Sequence, residues 1–489
     1  MARTVWLWSI WIPVLLGLAA RAAGQGPSGL EAAAALEKVL VEAIAGAEPS
    51  VVAIARVRKQ VPGESFGFEF RPDPFGRRTM PFVASKPTDP DFVPNEFGTG
   101  VVVDRQGLIL TAYHVLGEES DYFVTTHDRK VYRAWIKGAD PRSDLAVLAV
   151  DATDLVPIPF GDAATLRKGQ IVIALGNPYA IARDGQVSAS WGIVSNLARK
   201  AGLVLEESEP TGKSTLHHFG TLIQTDAKLN LGTSGGPLLN LRGQMVGLTT
   251  SLAAAVGYEQ AAGYAFPVDE TFRRVIDTLK RGREVEYGFL GIQPVNLLGQ
   301  EVLQGMQGIR VHRVVSGTPA HRYGIKTGDL IATVNGKPIH DADGLVLEVG
   351  RLPVESTVRL GVLRDERKLD VDVELTKYPV RGKKIVTSPA PAWRGMRIDY
   401  PSAVLDAEGQ ASLGMAFFDD GVIVTDVEKA TPTWEAGLRP GMLISQVERT
   451  AIRNPRQFRT AVAGKNGAVQ LRLADGEDQT SIRTVAPGT

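Results

Sequence analysis

Two hydrophobic rhythms divide the chain. Residues 29–48, GLEAAAALEKVLVEAIAGAE, set Leu30, Leu36, Val39 or Leu40 and Ile44 at helical spacing and predict a helix ended by Gly46 that packs its apolar face on the domain C-terminal to it. A short strand comes next over Val51 to Val57. From Phe97 the period falls to two in a series of short β-branched runs, among them GTGVVVD, LILTAYHVL, LAVLAV, QIVIALGNP, GGPLLN and MVGLTTSL, separated by Gly, Asp or Asn. This pattern predicts an antiparallel barrel or sandwich, closed by a helix from Val268 to Lys280, with Arg281-Gly282-Arg283 at the boundary. Residues 62–95 have no period and are rich in Pro, Gly and Phe, including Phe66, Phe68, Phe70 and Phe75. They read as a long loop, either a bare excursion or a regulatory or assembly segment.

The rest of the chain repeats itself. SGTPAHRYGIKTGDLIATVNG from Ser316 returns as KATPTWEAGLRPGMLISQVER from Lys429, so that Thr318, Pro319, Gly324, Gly328 and Ile331 recur as Thr431, Pro432, Gly437, Gly441 and Ile444. This recurrence implies two copies of one module. The basic, proline-rich KYPVRGKKIVTSPAPAW between them reads as a linker.

Composition narrows the function. The 489 residues carry equal numbers of Lys plus Arg and of Asp plus Glu, 54 each, with no basic stripe, so no nucleic-acid partner is expected. Cysteine is absent, which removes disulfides, thiol nucleophiles and cysteine metal sites. No cofactor is expected: there is no nucleotide loop, and His217-His218 is an isolated pair without a third metal ligand at useful spacing. Arg3, the apolar run from Val5 to Ala20 and Ala20-Arg21-Ala22 read as a leader over residues 1–22. Export to the periplasm or cell envelope is the expectation, with membrane contact only if that segment stays uncleaved as an anchor.

The candidate chemistry centres on LNLGTSGGPLLN. A turn of small residues around Ser234 can present a hydroxyl beside backbone N–H groups, although such residues also make ordinary surface turns. A serine nucleophile needs a histidine and an orienting carboxylate. His114, where the strand LILTAYHVL ends, and Asp144, at the head of the apolar run in SDLAVLAV, are the upstream candidates. Singly, the first also reads as a satisfied histidine and the second as a turn residue. The order His, Asp, Ser is one of the known chain orders for a triad.

LTAYHVL, SDLAVL, LGNP, GIVS, IQTDA and GTSGGPLLN resemble, in that order, the motifs of the HtrA/Deg family of trypsin-like serine proteases, and the repeats resemble two PDZ domains. The resemblance implies a mainly β fold, a chymotrypsin-like double β-barrel followed by two PDZ domains of α+β type. The expected boundaries are residues 30–281 for the protease with its loop at 62–95, 284–376 for the first PDZ domain, 377–391 for the linker and 392–486 for the second. It implies Ser234 as nucleophile, His114 as general base, Asp144 as its orienting partner, and the backbone N–H groups of Gly232 and Ser234 as the oxyanion hole. Thr233 stands where the family usually has asparagine, and LNLG from Leu229 where it often has INPG or INRG.

The function implied is that of an exported, ATP-independent endopeptidase acting on unfolded or damaged proteins, with a chaperone or PDZ scaffold of little peptidase activity as the alternative. Lys228 replaces the aspartate that selects basic side chains in trypsin, so Leu229, the apolar run 252–256 and Thr250, itself also readable as a plain strand residue, suggest a shallow apolar specificity pocket. Tyr287, Gly288, Phe289, Leu290 and Gly291 have the form of the loop that binds a terminal carboxylate in PDZ domains, or else of a tight turn opening a strand; the first reading implies C-terminal peptides and unfolded polypeptides as partners. In the second module Trp393 to Ile398 takes that place, and Glu448-Arg449 replaces Asn335-Gly336, which predicts a weaker hairpin. The resemblance also implies a homotrimer or a larger assembly of trimers.

Overall fold

The computed structural model describes residues 29–59, 96–177, 186–200, 216–250, 262–380, 383–405, 421–474 and 482–488. The expected leader, the expected loop 62–95 and the apolar run 252–256 lie outside these. Helix α1 (Gly29–Ala47) leads into strands β1 (Val51–Arg58), β2 (Glu96–Val102), β3 (Leu108–Ala112), β4 (Ser120–Thr125), β5 (Val131–Asp140) and β6 (Leu145–Val150). All pairings are antiparallel and run β5-β4-β1-β2-β3-β6, with β5 bonded back to β6, so the six strands close a barrel. Strands β7 (Ile171–Gly176), β8 (Ser188–Arg199), β9 (Leu222–Thr225), β10 (Pro237–Leu239), β11 (Met245–Thr250) and β12 (Gly263–Pro267) close a second barrel.

The alternation of side chains explains why β6, LAVLAV, is buried throughout. Leu148 and Val150 fill the first barrel, while Leu145 and Val147 join Ile173, Leu175, Leu239 and Leu248 of the second barrel in the core between the two. Helix α2 (Glu270–Lys280) returns over β5 and β6. Asp269 caps it by accepting from the Phe272 N–H at 2.8 Å, and Phe272, Val275, Ile276 and Leu279 bury one stripe.

Helix α1 departs from the expectation in two ways. Leu30, Leu36 and Val39 are exposed, and only the last turns reach the core through Leu40, Ala43, Ile44 and Ala47, because the first turns extend past the barrel surface. Gly46 lies inside the helix, and the stop comes from Pro49 in the tighter turn Glu48–Ser50.

The two repeats share one topology. Strands Ile292–Asn296, Ile309–Val314, Leu330–Val334, Thr357–Arg364 and Arg367–Glu374 follow one another across the first sheet, as Met396–Asp399, Val422–Val427, Leu443–Val447, Val469–Leu473 and Ile482–Val485 do across the second. The repeated threonine explains part of the motif. Gly291 and Gly395 sit at φ 84° and 89°, and a Cβ on either would overlap Thr318 or Thr431. In the first hairpin Asn335 and Gly336 take the left-handed backbone; in the second the turn still forms, with Glu448 at φ 55° and Val447 paired to Thr450, at a cost on the order of 1 kcal/mol.

The first repeat is docked on the barrels. Lys200 pairs with Asp343 and Asp341 at the start of helix Ala342–Gly350, and Arg351 pairs with Asp269. The segment between the repeats is more than a linker: Ile385–Val386 pairs with Ala139 and Gly138 of β5, extending the first barrel's sheet. Beside it, buried Lys377 lies 2.9 Å from Glu284 and 2.7 Å from Asp399, joining the leading strand of the second repeat to the protease end of the first.

Replacing Phe272 by Ala should lower protease-domain stability by about 3–5 kcal/mol, whereas Leu30→Ala should leave it unchanged. Urea denaturation followed by circular dichroism separates the two.

Candidate active site

Strand register creates the first half of the site. Ala112, the last residue of β3, pairs with Leu145, the first of β6, so the turn after one strand meets the turn before the other. His114 occupies the short helical turn Tyr113–Val115, and Asp144 ends the turn into β6. The Asp144 carboxylate accepts from the His114 backbone N–H at 3.0 Å and faces the His114 Nδ1 at 2.8 Å, while its carbonyl accepts from the Tyr113 N–H at 2.9 Å. A carboxylate on Nδ1 fixes the proton there and leaves Nε2 as the basic atom. Asp144 is buried and stands at φ 53°, a left-handed backbone that costs a non-glycine residue on the order of 1–2 kcal/mol.

The second half is the turn before β10. Buried Ser234 is held by its carbonyl, which accepts from the Thr99 N–H of β2 at 2.9 Å. The Thr99 hydroxyl donates to the Gly232 carbonyl at 2.7 Å and accepts from the Asn177 N–H at 2.8 Å, and the Thr99 carbonyl accepts from Thr111 Oγ1 at 2.8 Å. Thr233 bonds back to the Asn230 carbonyl at 2.7 Å, and Thr249 donates to the Thr233 carbonyl at 2.6 Å. Gly235, at φ 85°, lies so close to β2 and β3 that a Cβ would overlap the Thr99 carbonyl and the Thr111 hydroxyl. Ser234 thus reaches the end of the first barrel where His114 and Asp144 stand. The His114 Nε2 is buried and has no hydrogen-bond partner among the described residues.

The residues expected to line the specificity pocket lie in different surroundings. Lys228 turns its side chain to solvent while its carbonyl accepts from Ser190 Oγ at 2.8 Å. Leu229 is half-buried against the second barrel's core and packs close to Gly263, and Thr250 is buried at the end of β11, paired with Tyr264. His217 is buried and stacks on Phe266 with centroids 4.1 Å apart, a packing position.

Within the expected carboxylate loop the structure divides the residues. The Gly288 N–H is used by the Leu352 carbonyl at 3.0 Å, and Gly288 and Phe289 pair with Lys377 and Thr376. Leu290 is buried in the repeat's own core. Tyr287 is fully buried and points away from the loop, donating its hydroxyl to Asp140 of the protease. Neither Thr99 nor Asp140 was singled out in the sequence, because a strand threonine and an aspartate at a strand end carry no distinguishing pattern.

A model of the trypsin-like peptidase domain matches residues 98–248, and one of the PDZ domain matches residues 288–375. The chain is 31% identical over 387 residues to a probable periplasmic serine endoprotease DegP-like protein of Chlamydia trachomatis serovar D, covering 78% of this chain and 72% of that one. The periplasmic serine endoprotease DegP of Escherichia coli K12 matches at 31% identity over 78% of this chain and 74% of its own.

The chain belongs to the HtrA/DegP family of serine endoproteases.

Among solved structures, the HtrA-type protease AlgW with a decapeptide superposes with a TM-score of 0.51 at 26% identity, covering 69% of this chain and 98% of that one. The HtrA/DegP chain is therefore a serine endopeptidase with a trypsin-like protease domain followed by PDZ architecture, and the relatives' activity weighs against a scaffold without peptidase function.

Thr99→Val should strand the Asn177 N–H and the Gly232 carbonyl at the cost of about 1–3 kcal/mol. A lowered thermal midpoint with an unchanged far-ultraviolet spectrum is the expected result.

Proposed function

We propose that this protease cuts unfolded or damaged polypeptides by the Ser-His-Asp mechanism, with Ser234 as nucleophile, His114 as base and Asp144 as its orienting partner. The observation that carries the proposal is the His114–Asp144 pair, which leaves a basic Nε2 at the end of the barrel to which the Ser234 turn is bolted. In the reaction the Ser234 hydroxyl turns to Nε2, gives up its proton and attacks the scissile carbonyl. The backbone N–H groups of Gly232 and Ser234 bind the oxyanion that forms. His114 then returns the proton to the leaving amine, and a water repeats the sequence on the acyl-enzyme. Leu229 beside Gly263, with Lys228 turned outward, supports a preference for small aliphatic side chains at the cleavage point.

Strand Ile292–Asn296 is the edge of its sheet, which suits an extended C-terminal peptide added as a further strand, with the carboxylate at the loop 287–291. Strand Met396–Asp399 is the corresponding edge in the second repeat. The relatives are named as periplasmic, which supports the reading of residues 1–22 as a leader and a periplasmic site of action. A homotrimer or a larger assembly of trimers is the proposed assembly.

Ser234→Ala should abolish cleavage of reduced casein, a loss of about 10⁴- to 10⁶-fold, with the product ends read by mass spectrometry. Cleavage that survives this substitution would remove Ser234 from the chemistry.

The pH dependence has a definite sign. Burial disfavours the His114 imidazolium, but the charge of Asp144 and its hydrogen bond outweigh it, so His114 titrates above its ordinary 6.5. The base must be neutral, so kcat/KM should fall as pH drops through that raised value. Asp144→Asn should move the acid limb to lower pH and lower kcat by about 10⁴.

A further inference from the structure

Asp140 ends β5, immediately before the turn that delivers Asp144, and its surroundings reach beyond the protease domain. The Asp140 carboxylate is buried, and one oxygen accepts from the Ser143 N–H at 2.9 Å, from the Ser143 hydroxyl at 2.6 Å and from the phenol of Tyr287. Ser143 is therefore fixed through both its backbone and its side chain, and the next residue is Asp144 in its left-handed backbone. Tyr287 comes from the segment that enters the first PDZ domain, immediately before strand Gly288–Phe289. Its own place is set from the PDZ side: its carbonyl accepts from the Tyr378 N–H at 2.8 Å, where the chain leaves that domain.

The same turn is gripped once more. The buried guanidinium of Arg142 lies 3.5 Å from the ring centre of Tyr378 and 5.2 Å from that of Tyr287. Tyr113, next to His114, donates its hydroxyl to the Lys383 carbonyl at 3.2 Å. The chain entering and leaving the PDZ domain thus touches the turn before Asp144, and the segment after that domain touches the residue before His114.

From this geometry we infer that Tyr287 is a positioning residue for the triad: through Asp140 and Ser143 its phenol sets the turn that holds Asp144 on His114. The inference rests on the triad proposed above. Positional errors of about 1 Å in a catalytic constellation cost on the order of 100-fold in rate.

The test uses the full-length protein and a chromogenic peptide with a small aliphatic residue at the cleavage point, too short to span from the cleft to a PDZ groove. Tyr287→Phe keeps the ring between its neighbours and removes only the hydroxyl, and Asp140→Asn keeps the volume and weakens the acceptor. Both should lower kcat on the order of 10- to 100-fold with KM unchanged, and both should shift the acid limb of the pH profile towards lower pH as Asp144 loosens from His114. Tyr378→Phe, which keeps the stacked face over Arg142, should match the wild type.

A wild-type kcat for Tyr287→Phe overturns the inference. So does a fall in kcat with an unmoved acid limb, or one that persists in full in an Asp144→Asn background, since either shows an effect that bypasses Asp144. If Ser234→Ala and Asp144→Asn themselves retain activity, it is the triad assignment that fails instead.

Discussion

One buried threonine joins the two barrels at the candidate active site. Thr99 commits its N–H, its carbonyl and both capacities of its hydroxyl, and each bond goes to a different piece of the cleft: Ser234, Thr111, Gly232 and Asn177. Apolar contact alone would hold the barrels together yet allow them to slide, since the hydrophobic effect has no direction. Hydrogen bonds to fixed backbone atoms remove that freedom. An unmade one in a dry interface costs far more than a made one gains, and the network is therefore satisfied in one register only.

Much of this was legible in the sequence, for identifiable reasons. The period-two runs marked the strands, and the repeat around Thr318 and Thr431 marked the paired modules, because each repeated residue answers a local demand such as the close approach at Gly291. His114, Asp144 and Ser234 stood out because they sit at strand margins in short recognisable motifs. What escaped was non-local. Leu30 and Leu36 have helical spacing whether or not a surface lies opposite them, and Tyr287 looks like a loop residue until the docking of the PDZ domain turns it onto Asp140. Pro49 rather than Gly46 ends the first helix because a missing N–H is a harder stop than a flexible backbone.

The joint between the repeats shows the same dependence on tertiary context. Lys377 reads as the first residue of a basic linker, yet it is buried. Desolvation works against its charge, and Asp399, Glu284 and Glu286 more than compensate, keeping it above its usual range. Glu355 accepts from the Tyr400 hydroxyl at 2.7 Å and lies 2.8 Å from Arg456. Several charges that share one small volume hold the second repeat at a defined angle, and removing any single partner would leave the others uncompensated.

The strand Ile385–Val386 imposes an order of events on the newborn chain. The bond from the Thr387 hydroxyl to the Lys137 carbonyl closes a separation of 250 residues. A ribosome that has finished both barrels still leaves that edge of β5 bare until the whole first PDZ domain has emerged. An unpaired edge is a template for pairing with other chains, and contacts so distant in sequence form late. The first barrel is therefore most exposed to misassembly in the interval between its own synthesis and the return of the strand that covers it.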